Sequence, residues 1–147
     1  MRRFVMVVVA WMFALSNVTH AQEFRVETIA RGLSDAWSIA FLPDGQALVT
    51  QKTGTLVRLD LTDGSTHNIA GLPPVFVSGQ GGLMDVVPHP DFTANRLVYL
   101  TWSRGTVRDN TLVLGRGRFQ GDQLVDFEEI FVAEPSRSTN VHYGARL

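Results

Sequence analysis

Short runs in which apolar and polar residues alternate follow one another along the chain, and glycine, proline and aspartate separate them. Trp37-Ser38-Ile39-Ala40-Phe41 sets large apolar side chains on every second position, the period of a strand with one buried face. Pro43-Asp44-Gly45 turns the chain, because proline presets φ and glycine accepts positive φ. A second strand is predicted over Ala47 to Thr50, with a turn at Lys52-Thr53-Gly54. A third runs over Thr55 to Asp60, turns at Asp63-Gly64, and leads into a fourth over Ser65 to Ile69. Such closely spaced strands form an antiparallel meander.

The pattern then recurs. Met84 to Val87 is strand-like and leads to Pro90-Asp91, followed by β runs over Arg96 to Trp102, Thr111 to Phe119 and Glu128 to Val132. Pro43-Asp44 and Pro90-Asp91 hold the same place in each unit, 47 residues apart. A four-stranded unit at this period marks a β-propeller blade. A β-sandwich or barrel would give similar strand spacing, so the pattern by itself leaves both open. No amphipathic helix is apparent after Gln22.

The N-terminus breaks the pattern. Basic Met1-Arg2-Arg3 is followed by an uncharged apolar run, Phe4 to Leu15, and by a polar stretch ending in Thr19-His20-Ala21. This order is that of a signal peptide over residues 1–21, with cleavage before Gln22. The apolar run is short of the roughly 20 residues needed to span a bilayer. The expectation is a periplasmic or secreted protein with no stable membrane span after cleavage.

Composition narrows the chemistry. The chain has 147 residues, 45% hydrophobic and 18% charged, which suits a globular core and not a disordered tail. Without Arg2 and Arg3, 11 of the 13 basic residues face 14 acids, a net charge of −3 with no basic stripe, which argues against a nucleic-acid partner. Cysteine is absent, which excludes disulfides, thiolate catalysis and Cys-ligated zinc.

Two loops stand out. Ser78-Gly79-Gln80-Gly81-Gly82 precedes the first strand of the second unit, and Asn140-Val141-His142-Tyr143-Gly144 lies where a third unit would begin. In a propeller the first strand of each blade lines the central channel, so both loops would open on one face. Gln80 and His142 would then be neighbours although 62 residues separate them. A histidine can take up a proton near neutral pH, and a glutamine between glycines can be a polar group on backbone that approaches a ligand closely. A solvated loop histidine and a flexible turn are the plain alternatives.

Other candidates carry less. No Gly-Lys-Ser/Thr follows the glycines, so there is no P-loop, and no serine sits in a Gly-x-Ser-x-Gly context. His67 has no metal-spaced partner, and His89 lies in a Pro-His-Pro turn. Arg116-Gly117-Arg118 reads as a solvated strand face. Asp122, Asp126, Glu128 and Glu129 do not match a calcium loop, so no metal ligand is assigned within the chain.

These segments together resemble a known family. Trp37 to Gly45 looks like the opening blade of the soluble quinoprotein glucose and aldose sugar dehydrogenases, a group that includes sorbosone-dehydrogenase-like proteins. Gly79-Gln80-Gly81-Gly82-Leu83-Met84-Asp85, then His89-Pro90-Asp91-Phe92 and Asn95 to Leu100, is similar to their most distinctive early segment. His142-Tyr143-Gly144-Ala145-Arg146-Leu147 is similar to the segment that carries their catalytic histidine. The resemblance runs from about Val26 to Leu147.

It implies a six-bladed β-propeller, of which residues 22–147 would cover about two four-stranded blades. It also implies pyrroloquinoline quinone (PQQ) as cofactor, calcium (Ca2+) as its activator, and an aldose oxidised at C1 to the lactone, with electrons passing on to an external acceptor. His142 would be the general base, and Gln80 would contact cofactor or sugar. The cationic cofactor contacts and calcium ligands would lie beyond this chain. Two departures are visible: Val141 stands where some members carry an acidic or polar residue, and Thr111 to Gly115 replaces a more usual alanine-and-arginine run. The other reading is a non-catalytic exported propeller that binds a sugar or protein partner.

Overall fold

A computed structural model describes residues 24–147; the segment read as a signal peptide lies outside the described residues. Eight strands form two four-stranded antiparallel sheets, each a meander in chain order. The first sheet comprises β1 (Ala36–Phe41), β2 (Gln46–Gln51), β3 (Thr55–Asp60) and β4 (Thr66–Ile69). The second comprises β5 (Leu83–Pro88), β6 (Leu97–Thr106), β7 (Asp109–Gln120) and β8 (Gln123–Val132). These are the two units that the repeat predicts, and they differ in length. In the second sheet β6, β7 and β8 run well past the predicted ends.

One helical turn, α1 (Phe92–Asn95), lies between β5 and β6. It follows from the Pro-His-Pro-Asp-Phe segment and is too short to leave an amphipathic signature. His89 Nδ1 accepts the Asp91 N–H and lies 2.9 Å from the Asn95 amide nitrogen, while its ring stacks on Tyr99. His89 therefore holds this turn, as its place between prolines suggested.

The strands are apolar on the faces they bury against each other. Leu48 and Leu56 from the first sheet pack with Leu83, Val86, Leu100, Trp102 and Val113 from the second in one continuous core. The opposite face of β2 and β3 places Ala47, Val49, Val57 and Leu59 in a second cluster, covered by Ala30 and Leu33 of the N-terminal stretch. Both faces of β2 are thus covered, and its central residues are all buried. On β1, by contrast, Trp37, Ile39 and Phe41 point outward and stay substantially exposed.

Two seams fix the sheets to each other. At the outer edge, Ala70 donates its N–H to the Asp122 carbonyl and accepts from the Leu124 N–H, and the Arg58 guanidinium pairs with Asp122 at 2.7 Å. At the inner edge, the Ser38 hydroxyl on β1 donates to Asp85 Oδ1 on β5 at 2.6 Å. Thr50 Oγ1 on β2 donates to the Met84 carbonyl at 2.5 Å. Both inner strands carry a register shift near their start, between Ala36 and Ser38 on β1 and between Leu83 and Val86 on β5. A bulge at this position re-aims the side chains beside it. The arginines of β7 lie on a solvated face, Arg116 paired with Glu128 and Arg118 with Asp126.

Candidate functional site

The loop before β5 and the segment 133–147 after β8 are both built on the second sheet. Phe76 and Gly82 bracket Ser103 of β6: the Phe76 N–H donates to the Ser103 carbonyl, and the Ser103 N–H donates to Gly82. On the other side Asn110 of β7 and Arg137 exchange two main-chain hydrogen bonds of 2.8 Å, and the Thr111 hydroxyl donates to the Ala133 carbonyl. Arms anchored this way meet above the sheet.

Where they meet, equivalent positions pair at a constant offset of 62 residues. Asn140 Nδ2 donates to Ser78 Oγ at 3.2 Å, the His142 N–H donates to Gln80 Oε1 at 2.8 Å, and the Leu147 N–H donates to Asp85 Oδ2 at 2.8 Å. The Gln80 N–H also donates to the Asn140 carbonyl. Gln80 and His142 are therefore neighbours, as the repeat predicts. Three pairs in one register show that Gly144–Leu147 runs beside β5 as the next inner strand would.

Glycines make the approach possible. A side chain on Gly79 would place its Cβ 2.6 Å from the Asn140 carbonyl oxygen, and φ there is +57°. A Cβ on Gly82 would lie 2.3 Å from the carbonyl oxygen of Lys52. The Ser-Gly-Gln-Gly-Gly run is thus a packing requirement and not a loose turn.

His142 itself is exposed and adopts φ of +63°, a left-handed conformation uncommon for a residue with a Cβ. Its carbonyl accepts from Arg137 Nη1 at 3.2 Å, so both halves of its backbone are held. Among the described residues nothing hydrogen-bonds its imidazole or the Gln80 amide NH2. The next residue, Tyr143, is buried, and its hydroxyl donates to Asn110 Oδ1 at 2.6 Å. Burial pushes the Tyr143 phenol above its ordinary value, and the Arg137 charge pulls weakly the other way.

Beneath this rim, β1, β5 and residues Gly144–Leu147 line an open groove of about 640 Å³. Neither Gln80 nor His142 lines it. The candidate site is therefore the rim beside this groove and not the groove itself. Asp85 is buried and lines the groove. Among the described residues no group of three or more His, Asp or Glu side chains could hold a metal ion.

Sequence reasoning found Gln80 and His142 but gave no role to Asn110, Arg137 or Tyr143. Asn110 looks like an ordinary turn residue beside Asp109, and nothing local shows that it is 1% exposed. The usable signal was Tyr143, a large aromatic within a polar loop.

Two consecutive blades with paired loops on the rim define a β-propeller whose site opens at the start of the inner strands. The chain matches the glucose and sorbosone dehydrogenase family model over residues 33–147, and it belongs to that family. It is 36% identical over 126 residues to the aldose sugar dehydrogenase YliI of Escherichia coli, covering 83% of this chain and 34% of that protein. A crystal structure of a glucose dehydrogenase superimposes with a TM-score of 0.77 at 36% identity, covering 82% of this chain and 36% of that one. The PQQ-bound form of an aldose sugar dehydrogenase from Streptomyces coelicolor superimposes with a TM-score of 0.62 at 30% identity, covering 75% and 34%. The chain spans about a third of the length of the curated relatives it matches.

Proposed function

We propose that these blades belong to a sugar dehydrogenase that oxidises an aldose at C1 to the lactone, with His142 as general base. The observation that supports it best is the geometry of His142: its backbone is fixed on both sides while its imidazole stays free on the rim. A base must reach the proton it abstracts and must not be consumed by neighbours. His142 would take the proton of the C1 hydroxyl as the C–H bond breaks and the carbonyl forms. PQQ, when bound, supplies the two-electron acceptor for the hydride.

The residues present fit part of such a cofactor. The Gln80 amide NH2, which has no hydrogen-bond partner among the described residues, offers a donor to a quinone or sugar oxygen, and the Gln80 carbonyl oxygen holds the backbone of His142 next to it. Cations to balance the cofactor carboxylates, and calcium ligands, would come from other blades. We further propose export through the N-terminal segment and an external electron acceptor; mass spectrometry of the mature N-terminus tests the former, with Gln22 expected first.

His142→Ala in the full-length protein, reconstituted with PQQ and calcium, tests the assignment. Loss of a general base lowers turnover by roughly 10²–10⁴-fold. Wild-type turnover in this variant would instead favour a propeller that binds a sugar or protein partner without catalysis.

A further inference from the structure

We propose that Arg137 is a positioning residue for His142 and completes the backbone clamp that Gln80 begins; the proposal rests on the reading of His142 as the base. The two contacts are complementary. Gln80 accepts the His142 N–H, and Arg137 donates to the His142 carbonyl. Held at both peptide groups, His142 keeps a left-handed backbone that its Cβ disfavours. Release of either contact would let the chain relax and swing the imidazole away from the rim.

Arg137 is itself tightly referenced to the sheet. Its N–H and carbonyl both bond to Asn110, and Asn110 Nδ2 donates to the Thr106 carbonyl across the β6–β7 turn. The guanidinium lies 5.3 Å from the centre of the Tyr143 ring, and the Tyr143 hydroxyl returns to the same Asn110. Asn110, Arg137 and Tyr143 thus form a closed circuit around His142. Among the described residues Arg137 forms no salt bridge with a carboxylate, unlike Arg104, Arg116 and Arg118. Its charge is directed at one carbonyl, that of His142.

The test compares Arg137→Met, Arg137→Lys and His142→Ala in the full-length protein reconstituted with PQQ and calcium. Arg137→Met should lower kcat about tenfold with KM nearly unchanged, since it disturbs the alignment of the base and not the binding of sugar. Arg137→Lys, which keeps a charged donor, should recover much of the loss. Amide hydrogen exchange should quicken in residues 138–146 of Arg137→Met and stay unchanged elsewhere. Wild-type kcat in Arg137→Met beside an inactive His142→Ala would overturn the proposal and leave the base assignment standing. Failure of Arg137→Met to fold, or exchange accelerated throughout, would overturn it too, because Arg137 would then support the blade as a whole. An active His142→Ala would sink the base assignment itself, and exchange at residues 138–146 would then decide whether the clamp exists.

Discussion

Ser38 and Asp85 stand at equivalent positions of successive blades, 47 residues apart, and a 2.6 Å hydrogen bond joins them. Asp85 also accepts the Leu147 N–H on its other oxygen, so one buried carboxylate ties β1, β5 and the segment Gly144–Leu147. Asp85→Ala would leave the Ser38 hydroxyl and the Leu147 N–H without their acceptor in a partly buried seam. We expect a loss of about 3 kcal/mol, in line with removing one partner from a buried charged network. Denaturant unfolding of the full-length protein measures it, and a change within about 0.5 kcal/mol would show that Asp85 is incidental.

Gln80 has two separable ends. Its carbonyl oxygen holds the His142 N–H, and its NH2 has no hydrogen-bond partner among the described residues. Gln80→Glu keeps the acceptor and removes the donor, so it should act mainly on KM. Gln80→Ala removes both and should lower kcat as well, by roughly fivefold for one lost hydrogen bond of about 1 kcal/mol. Steady-state kinetics of the two variants distinguish the ends; identical profiles would mean that only one of them matters.

The Tyr143 phenol ties stability to alkaline pH. Its folded value lies above the ordinary 10.0 because burial disfavours the phenolate. The folded state therefore keeps a proton that the unfolded state releases, and by linkage stability declines as pH rises past 10.0. Tyr143→Phe should be less stable near neutrality by about 1–2 kcal/mol, because Asn110 Oδ1 loses its donor. It should also lose the alkaline decline. Urea midpoints against pH for the two proteins provide the check, and parallel curves would contradict it.

The blades were legible because short apolar runs recur with glycine, proline or aspartate between them, although β2 is buried on both faces and the large side chains of β1 stay exposed. Trp37 to Gly45 and its counterpart around Pro90-Asp91 announce the repeat. The ends of β6 to β8 were not legible. Arg104 lies past the predicted end of its strand and reads as a loop position until its ion-pair partner Glu129 on β8 is known, whereas Arg116 and Arg118 already fall on the predicted solvated strand face. In the same way, Gln80 and His142 could be paired because both precede an inner strand, a relation that the repeat encodes. Asn110 and Arg137 could not, since Asn110 lies at the unpredicted start of β7 and Arg137 follows β8 outside any strand. Their roles depend on their mutual main-chain pair and on the Asn110 bond to Tyr143, contacts between residues far apart in the sequence that no local pattern shows.

Both arms of the candidate site hang from one sheet. Ser103 secures the loop with Gln80, and Asn110 secures the segment with His142. Gln80 and His142 are in this sense a cassette carried by the second blade, and the hydrogen bond between them is made within this chain. On the proposed reading, substitutions on the facing blades could reshape the opening presented to a substrate without moving His142 relative to Gln80. With His142 as the proposed base, this arrangement is permissive: the base would be inherited on one sheet, and selectivity could drift on the others.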